Sequence, residues 1–412
     1  MKKNSSRFVE MKAAVVETKA GAQNPPGRIP QPPDYQVVVG LDVGDRQTHY
    51  CVLDLDGQLA VEGAVATREV SLRVQFEGKA RMRIALEAGA HSPWISRLLV
   101  ALGHDVIVAN PRKVRLISSS DSKNDPADAR TLARLAHVGP ELLSPIQSRS
   151  EKTQVDMALV RARDVAVQSR TKIINAVRGI VKSTGRRLPK SSTLTFARKA
   201  KDACPEALLP ALLPLLRVIE ELTREIELYE KLVIKKAAND YPETKAIQTI
   251  HGVGPITALA FVLLLDNDRS RFRRSRDVGC YIGLRPKQRE SGQHAPQLGI
   301  TKAGDPLLRR LATQCAQYIL GPFGKDSALR RWGLSLALRG GKNAKKRAVI
   351  AVARKLVILM HRIWITQVGF IFDNRPRPVV VLHDVGRSTE GHADALATVA
   401  EVEEFVGHAY TP

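Results

Sequence analysis

A single acidic residue inside an apolar strand constrains this chain more than any other feature. Residues 36–43 form a valine-rich run that predicts a buried strand, and Asp42 interrupts it. Alternate side chains of a strand point to opposite faces, so Asp42 points away from its apolar neighbours Leu41 and Val43. A carboxylate in a central strand is costly unless it is paired or bound to a cation. The run therefore predicts a sheet with a paired or cation-binding acid on one face.

The order of strand and helix signals around this run predicts the fold class. Two more strands are expected at 49–55 and 59–67, with the hairpin signal Asp56-Gly57 between them. Helix and strand signals then alternate as far as residue 109, with a strand at 82–86 that ends at Glu87. A meander followed by this alternation is typical of an α/β domain of the ribonuclease-H-like type, expected here over residues 36–149.

Strand signals stop near residue 150, and the rest of the chain is predicted to be mostly helical. Helical period at 152–182 and 207–237, separated by a loop or a broken connection at 185–205, favours a helical hairpin or coiled-coil domain over 150–245. A plain hairpin with a solvated basic face and a hairpin that grips nucleic acid are about equally compatible with this pattern. The second helix is a plausible contact between subunits.

A second compact, mostly α domain is expected over 246–372. It begins with a turn in which Gly252 and Gly254 precede an apolar helix, an arrangement that resembles a helix-hairpin-helix. In that motif the glycines let backbone N–H groups approach a phosphate, and the next helix N-terminus faces the anion. Basic residues further along are expected to contact phosphates and to position the nucleic acid without specifying its sequence; they are Arg274, Lys302, Arg309 and Arg310.

The two ends of the chain differ from its interior in composition. Residues 1–35 are rich in lysine, glycine and proline and predict a disordered basic arm. Residues 373–412 lack clear periodicity and predict a poorly defined tail. The arm has no apolar core of a signal peptide, and the chain has no run of eighteen apolar residues, so we expect a cytoplasmic protein with no membrane association.

The charge of the chain indicates a polyanionic partner. Lysine and arginine number 64 against 41 aspartates and glutamates, which gives a net charge of +23. Each phosphate that a basic side chain neutralises releases a counterion, so nucleic acid is the first candidate and an anionic membrane surface the second. The four cysteines are scattered singly, which predicts reduced structural thiols and no zinc site.

Three further carboxylates lie where this fold would bring them to Asp42. Glu87 ends the fourth strand, while Asp125 and Asp128 lie one turn apart at the start of a helix with Pro126 at its first position. If the two acids have only a structural role, Asp125 caps that helix and Asp128 complements its dipole. Read as one set, the four acids suit Mg²⁺, with Mn²⁺ as an alternative, and two such ions clamp the attacking and leaving oxygens of phosphoryl transfer.

Motifs in both halves of the chain, in one consistent order between residues 37 and 365, point to one family. They are Val39-Gly40-Leu41-Asp42-Val43, Leu86-Glu87-Ala88-Gly89, Lys123-Asn124-Asp125-Pro126-Ala127-Asp128-Ala129, Gly252-Val253-Gly254, Gly283-Leu284-Arg285-Pro286, Ser291-Gly292 and Ile300-Thr301-Lys302-Ala303-Gly304-Asp305. With them the chain closely resembles the DEDD transposases of insertion sequences, relatives of the Piv DNA invertase. His251 departs from the family pattern, since the hairpin commonly has proline there.

The resemblance implies a composite active site built from two domains, a RuvC-like acidic domain and a second domain that contributes a serine. Asp42, Glu87, Asp125 and Asp128 become the metal-binding acids, and Ser291 becomes a nucleophile that attacks a DNA phosphate and holds one strand covalently. Joining two DNA sites needs at least two active sites, so a homo-oligomer, a dimer or a tetramer, is expected on the nucleoid. Some members of the family are guided by a structured RNA that the element encodes, and the net charge of +23 is compatible with such an RNA.

Two other functions stay open at this stage. In a RuvC-like nuclease a metal-activated water attacks the phosphate, and Ser291 is an incidental residue of a flexible Ser-Gly loop. In a non-catalytic nucleic-acid-binding protein the hairpin and the basic helices form a clamp. The placement of Asp42 in an apolar strand argues against the second of these.

Overall fold

The computed structural model describes residues 34–117, 124–266, 268–289, 291, 296, 298–367, 369–371 and 379–381. Most of the predicted arm at 1–35 and of the tail at 373–412 lies outside the described residues, as do Lys123 and Gly292 of the motifs. The chain forms two compact units, Met1–Ser148 and Arg149–Pro412. The finer division at residues 245 and 372 stays a prediction.

The first unit contains a five-stranded mixed sheet in the order β3-β2-β1-β4-β5. Its strands are β1 Val38–Val43, β2 Gln47–Leu53, β3 Leu59–Ala66, β4 Arg83–Glu87 and β5 Asp105–Ala109. β1 lies at the centre, antiparallel to β2 and parallel to β4, and β5 continues the parallel half. The predicted meander followed by parallel strands is confirmed, and this mixed α/β sheet is compatible with a ribonuclease-H-like fold.

Helices cover both faces of this sheet. They are α1 Glu69–Phe76, α2 Ser92–Ala101, α3 Pro111–Ile117 and α4 Asp125–Val138, and a 3₁₀ turn, Pro140–Leu143, follows α4. Leu41 and Leu86 pack on one face with residues of α1 and α2. Val38 and Ala85 pack on the other face with residues of α3 and α4. By strand alternation Asp42 and Glu87 point to the face of Val38 and Ala85, which α4 covers.

Gly40 sets how closely α4 approaches β1. A Cβ atom at this position would lie 2.0 Å from the carbonyl oxygen of Ala129 and 2.4 Å from the backbone nitrogen of Ala133. Both atoms belong to the α4 backbone, which has no flexible end to move aside. The helix therefore lies directly against the central strand only because residue 40 has no side chain.

Gly40→Ala is expected to lower the free energy of unfolding by about 2 to 3 kcal/mol, because the added methyl overpacks a helix–strand contact. Gly89→Ala is the matched control, since a Cβ at Gly89 would meet no atom within 4 Å. Urea unfolding of both variants measures the difference. Equal, small losses in the two variants would show that α4 tolerates displacement from the sheet.

Two long helices, α5 Glu151–Ser183 and α7 Leu209–Asp240, form an antiparallel pair in the second unit. Met157 of α5 shares an apolar cluster with Val233 of α7, and the other ends of the two helices share another. Part of the predicted 185–205 loop is helical: α6 Phe196–Ala203 buries Phe196, Ala197 and Ala200 against the pair. A helix of 8 residues is too short to be stable alone in water, so burial against the pair stabilises it. A 3₁₀ turn, Glu206–Leu208, precedes α7.

A buried carboxylate ties the start of α5 to the end of α7. The Tyr241 hydroxyl donates to Asp156 at 2.6 Å, and the ammonium groups of Lys236 and Lys152 lie 2.8 and 3.2 Å from the same carboxylate. Burial raises the pKa of Asp156, but the hydrogen bonds from Lys236, Tyr241 and Lys152 outweigh burial and leave this pKa below its usual value. The charged form is therefore stable despite burial, and it fixes the pairing of the two helices.

The remaining helices of the second unit contribute to one apolar cluster. They are α8 Thr244–Gln248, α9 Pro255–Leu264, α10 Ser275–Tyr281, α11 Pro306–Leu320, α12 Ala328–Leu338 and α13 Ala344–Thr366, with a 3₁₀ turn Arg269–Arg271 and a small hairpin of β6 Gly369–Ile371 and β7 Val379–Val381. Every residue of α9 from Thr257 to Leu264 is buried. Within the described ranges, no helix combines the length and apolar character needed to cross a bilayer.

A histidine is buried between α10 and α13. His361 has no exposed surface, and its Nδ1 lies 3.0 Å from the Ser275 hydroxyl. Its Nε2 has no hydrogen-bond partner among the described residues. Burial lowers the pKa of His361 from 6.5 to about 4, so the ring is neutral at physiological pH.

His361→Phe is expected to flatten the acid side of the stability profile. In the unfolded chain this histidine takes up a proton near pH 6.5, whereas the folded chain resists protonation down to about pH 4. Its contribution is therefore complete above pH 6.5 and falls by about 3 kcal/mol as the pH drops from 6.5 to 4. Urea unfolding followed by tryptophan fluorescence, with wild type and variant compared at each pH, measures this. A difference that does not change with pH would contradict the prediction.

Candidate active site

The register of the sheet brings three polar side chains together on the face that α4 covers. Leu41 of β1 is opposite Leu86 of β4, so Asp42 and Glu87 are the next residues along two adjacent parallel strands. On the other side of β1, Asp42 is directly opposite His49 of β2. Asp42, Glu87 and His49 thus lie side by side on three strands. All three are partly buried.

The N-terminus of α4 supplies the other two acids. Asp125 and Asp128 lie in its first turn, and Asp125 Oδ2 is 3.6 Å from Nε2 of His49. The prediction that Asp125 caps the helix is wrong, because the extended residue Asn124 is the N-cap and its Oδ1 accepts from the backbone N–H of Ala127 at 2.8 Å. Asp125 is already helical, so its carboxylate points out of the capping position towards β2.

The pKa of Asp42 shows that the other three acids act on this carboxyl group. Its pKa is raised, first by burial and then by the negative charges of Asp125, Asp128 and Glu87, while His49 opposes the shift. Like charges gathered in this way disfavour the ionised form, and a divalent cation would relieve the repulsion. The donors are all carboxylate oxygens, which fits Mg²⁺ or Mn²⁺. In this conformation, however, no three His, Cys, Asp or Glu side chains of the described residues converge on one metal position.

An ion pair that is not obvious from the sequence fixes α4 against the sheet. Arg130 of α4 donates from Nε and Nη2 to the two carboxylate oxygens of Glu62 on β3, each at 2.7 Å. These hydrogen bonds lower the pKa of Glu62. Cys51 of β2, which lies opposite Glu62, is buried, and burial raises the pKa of its thiol to about 11. The bidentate ion pair therefore fixes α4 to β3 at Arg130, two residues after Asp128, and the neighbouring Cys51 thiol is neutral.

Ser291 belongs to the second unit, whereas all four acids belong to the first. It is exposed and lies between two chain segments that pair antiparallel at Pro286 and Ile300. The backbone N–H of Lys287 donates to Gly299, and that of Thr301 donates to Arg285, both at 2.9 Å. These bonds form the stem of a loop that presents Ser291 to solvent.

Comparison with known proteins identifies the family. A model of the DEDD transposase domain of the IS110 family matches residues 39–185, and a model of IS116/IS110/IS902 transposases matches 244–332. The chain is 31% identical over 286 residues to the transposase for insertion sequence element IS1328 of Yersinia enterocolitica, covering 68% of this chain and 83% of the relative. The chain belongs to the IS110 family of transposases.

Two further relatives extend over similar lengths. The transposase for insertion sequence element IS1111A of Coxiella burnetii is 29% identical over 336 residues, 77% of this chain and 86% of the relative. A probable family 20 transposase of Pseudomonas aeruginosa is 28% identical over 328 residues, 76% of this chain and 92% of the relative. As an IS110-family transposase the chain is an enzyme that cuts and rejoins DNA, and its DEDD domain indicates dependence on a divalent metal.

The first family match contains all four acids, and the second contains Ser291 and the turn with Gly252 and Gly254. That turn connects α8 to α9, with Gly252 at a φ of 93° and Gly254 exposed at the N-cap of α9. A Cβ at Gly252 would lie 3.1 Å from side-chain atoms of Tyr318 and Ile319 on α11. Phosphate binding by this turn, and its identity as a helix-hairpin-helix, stay predictions.

The basic residues predicted to bind nucleic acid differ in the hydrogen bonds and ion pairs that they make within the protein. The Arg309 guanidinium donates to the carbonyl oxygens of Ile282 and Gly304 at 2.9 and 3.3 Å. Arg310 is paired with Asp164 of α5. Arg274 is exposed and lies 3.5 Å from Asp277, and Lys302 has a positive φ of 55° beside Gly283. Arg309 and Arg310 therefore already stabilise the fold, and contact with DNA would be a second role for them.

Proposed function

We propose that this IS110-family transposase cuts and rejoins insertion-sequence DNA with a serine nucleophile and with Mg²⁺ held by Asp42, Glu87, Asp125 and Asp128. The observation that supports the metal site is the placement of all four acids at one face of the sheet, where burial and the other three carboxylates raise the pKa of Asp42. A transposase needs such a cluster because the transition state of phosphoryl transfer is anionic. When bound, the cation neutralises that charge on the phosphate oxygens.

The protein side chains divide the work between binding and covalent chemistry. The four carboxylates would hold the cation once their side chains had moved towards one another from the arrangement described above. The Ser291 hydroxyl loses its proton and attacks the phosphorus atom, so that a serine–phosphate bond forms and the bond to the leaving DNA oxygen breaks. The released DNA oxygen takes up a proton and becomes a hydroxyl. Attack by the hydroxyl of the strand to be joined then reverses these steps and frees Ser291.

Assembly of the complete site requires both units of the chain. We propose that a dimer or a tetramer brings two such sites together on DNA, with α7 at a subunit contact, and that a structured RNA encoded by the element selects the target. Sequencing the RNA that co-purifies with the protein tests the guide. A single element-encoded species supports it, and random cellular RNA contradicts it.

The test of the proposed function uses the full-length protein in bacterial cells together with its own element on a plasmid, so that any RNA from the element is present. Joined strands are detected by sequencing across new junctions, and purified complexes are analysed on denaturing gels with and without protease. New junctions together with a protease-sensitive protein–DNA adduct support the proposal. Cut ends without junctions or adduct would instead indicate a nuclease whose nucleophile is water.

A further inference from the structure

The second unit contains a large basic groove whose role the family membership does not explain. It has a volume of about 1370 Å³ and is lined by α10, α12, α13 and the stem of the Ser291 loop. This volume exceeds the roughly 300 to 1000 Å³ typical of sites for small ligands. An extended ligand is therefore a better match than a metabolite.

The charges of the groove all have one sign. Eight lysine or arginine side chains line it, and no carboxylate is present among the described side chains that do so. Lys342 and Lys346 are exposed at the N-terminal end of α13, and Lys302 lies on the loop stem. A cleft lined by cations alone attracts a polyanion and concentrates it.

The floor of the groove is apolar, and this feature distinguishes a single strand from a duplex as the ligand. Leu284, Leu336 and Ile350 line it together with Pro286 and Ile300 of the loop stem. The indole of Trp332 lies there too, with the ammonium of Lys355 3.8 Å from its ring centroid. A duplex presents its phosphates outward and keeps its bases inside, so its bases would not contact the apolar floor. A single strand offers unstacked bases to apolar surfaces and phosphates to a basic rim.

We infer that this groove binds an unpaired DNA strand, with phosphates on the Lys342 and Lys346 rim and bases on the apolar floor beside the stem of the Ser291 loop. The inference rests on the DNA strand transfer proposed above, because strand exchange must separate the strands next to the cut. A groove formed partly by Pro286 and Ile300 would hold such a strand at the base of the loop that presents the nucleophile.

A matched pair of neighbouring lysines tests the groove. Lys346 lines it, whereas Lys345 is equally exposed on α13 but does not. Binding of a fluorescent 20-nucleotide single-stranded DNA to the full-length protein is measured without divalent metal over a range of salt concentrations. Lys346→Gln is expected to reduce the slope of log affinity against log salt by about 0.7, and Lys342→Gln/Lys346→Gln by about 1.4 with about tenfold weaker binding.

The control Lys345→Gln is expected to leave the slope and the affinity unchanged. The same oligonucleotide as a duplex should lose little affinity in the double variant, because a duplex, whose bases cannot contact the floor, is not expected to occupy the groove. Equal effects of Lys345 and Lys346, or equal losses for duplex and single strand, would overturn the inference. A dependence on Lys346 seen with single-stranded RNA and not with DNA would overturn it as well, since the occupant would then be RNA.

These outcomes are separable from those of the proposed function, because binding is measured without Mg²⁺ and without cleavage. Trp332→Leu provides a second variant, expected to weaken single-strand binding about tenfold and duplex binding little. Since Trp332 also packs on the apolar core, its variant is compared only after thermal unfolding shows that it is folded. Unchanged single-strand binding by the folded variant would show that the bases do not bind to the apolar floor, against the inference.

Discussion

Asp42→Asn is expected to abolish DNA cleavage, by about 10³-fold or more, while leaving the protein at least as stable as before. Loss of roughly 4 kcal/mol of transition-state stabilisation by a metal ion corresponds to about that factor. The stability should not fall, because the amide removes a partly buried charge that Asp125, Asp128 and Glu87 repel. A residue whose removal destroys activity but relieves repulsion is selected for chemistry and not for folding.

Metal binding is the readout that separates this prediction from a general loss of activity. Titration of the purified protein with Mn²⁺ in a calorimeter should show binding by the wild type and at least tenfold weaker binding by Asp42→Asn. Asp45→Asn is the control, because Asp45 lies three residues further on, is 94% exposed, and has His91 at 3.2 Å as its ion-pair partner among the described residues. Wild-type cleavage or metal affinity in Asp42→Asn would exclude Asp42 from the metal site.

The part of this site that the sequence predicts is the part that local periodicity determines. Strand alternation identifies Asp42 as facing away from Leu41, and a Pro after an Asp predicts a helix start at 125. The N-cap itself is misassigned, because Asn124 and Asp125 are both good capping residues and only the backbone conformation distinguishes them. Adjacent candidates of equal propensity are not separable without coordinates.

Contacts between distant residues lie beyond such reasoning. Glu62 and Arg130 are 68 positions apart, and nothing in either local segment indicates that they pair. His49 was identifiable in principle, because the hairpin register places it opposite Asp42, but that register depends on a turn length that the sequence leaves open. For the same reason helix α6, stabilised by burial against α5 and α7, was expected to be a loop.

The fold also shows why Ser291 is harder to predict than the acids. The four carboxylates are fixed by one sheet and one helix of a single unit, so their proximity follows from the topology of that unit. Ser291 lies on an exposed loop of the other unit, where serine is common for reasons unrelated to chemistry. Only its motif indicates a nucleophile, and the decisive evidence must therefore be chemical.

Ser291→Ala is expected to abolish the protein–DNA adduct and strand joining while leaving Mn²⁺ binding and stability unchanged. The hydroxyl is the proposed point of covalent attachment, so without it no adduct forms. Because Ser291 is exposed, its truncation should change the free energy of unfolding by no more than about 0.5 kcal/mol. Ser183→Ala, an exposed serine at the end of α5 whose hydroxyl bonds to its own helix, is the control and should retain both activities.

Comparison of the two single variants, Ser291→Ala and Asp42→Asn, distinguishes three mechanisms that neither variant distinguishes alone. If serine is the nucleophile, Asp42→Asn loses metal binding, adduct and joining, and Ser291→Ala loses only the last two. If water is the nucleophile, Ser291→Ala still cleaves DNA at the wild-type rate, and no adduct is found in either protein. If the chain only binds nucleic acid, neither substitution changes its behaviour in cells. Metal affinity therefore reports on the unit that contains the four acids, whereas adduct formation requires residues of both units.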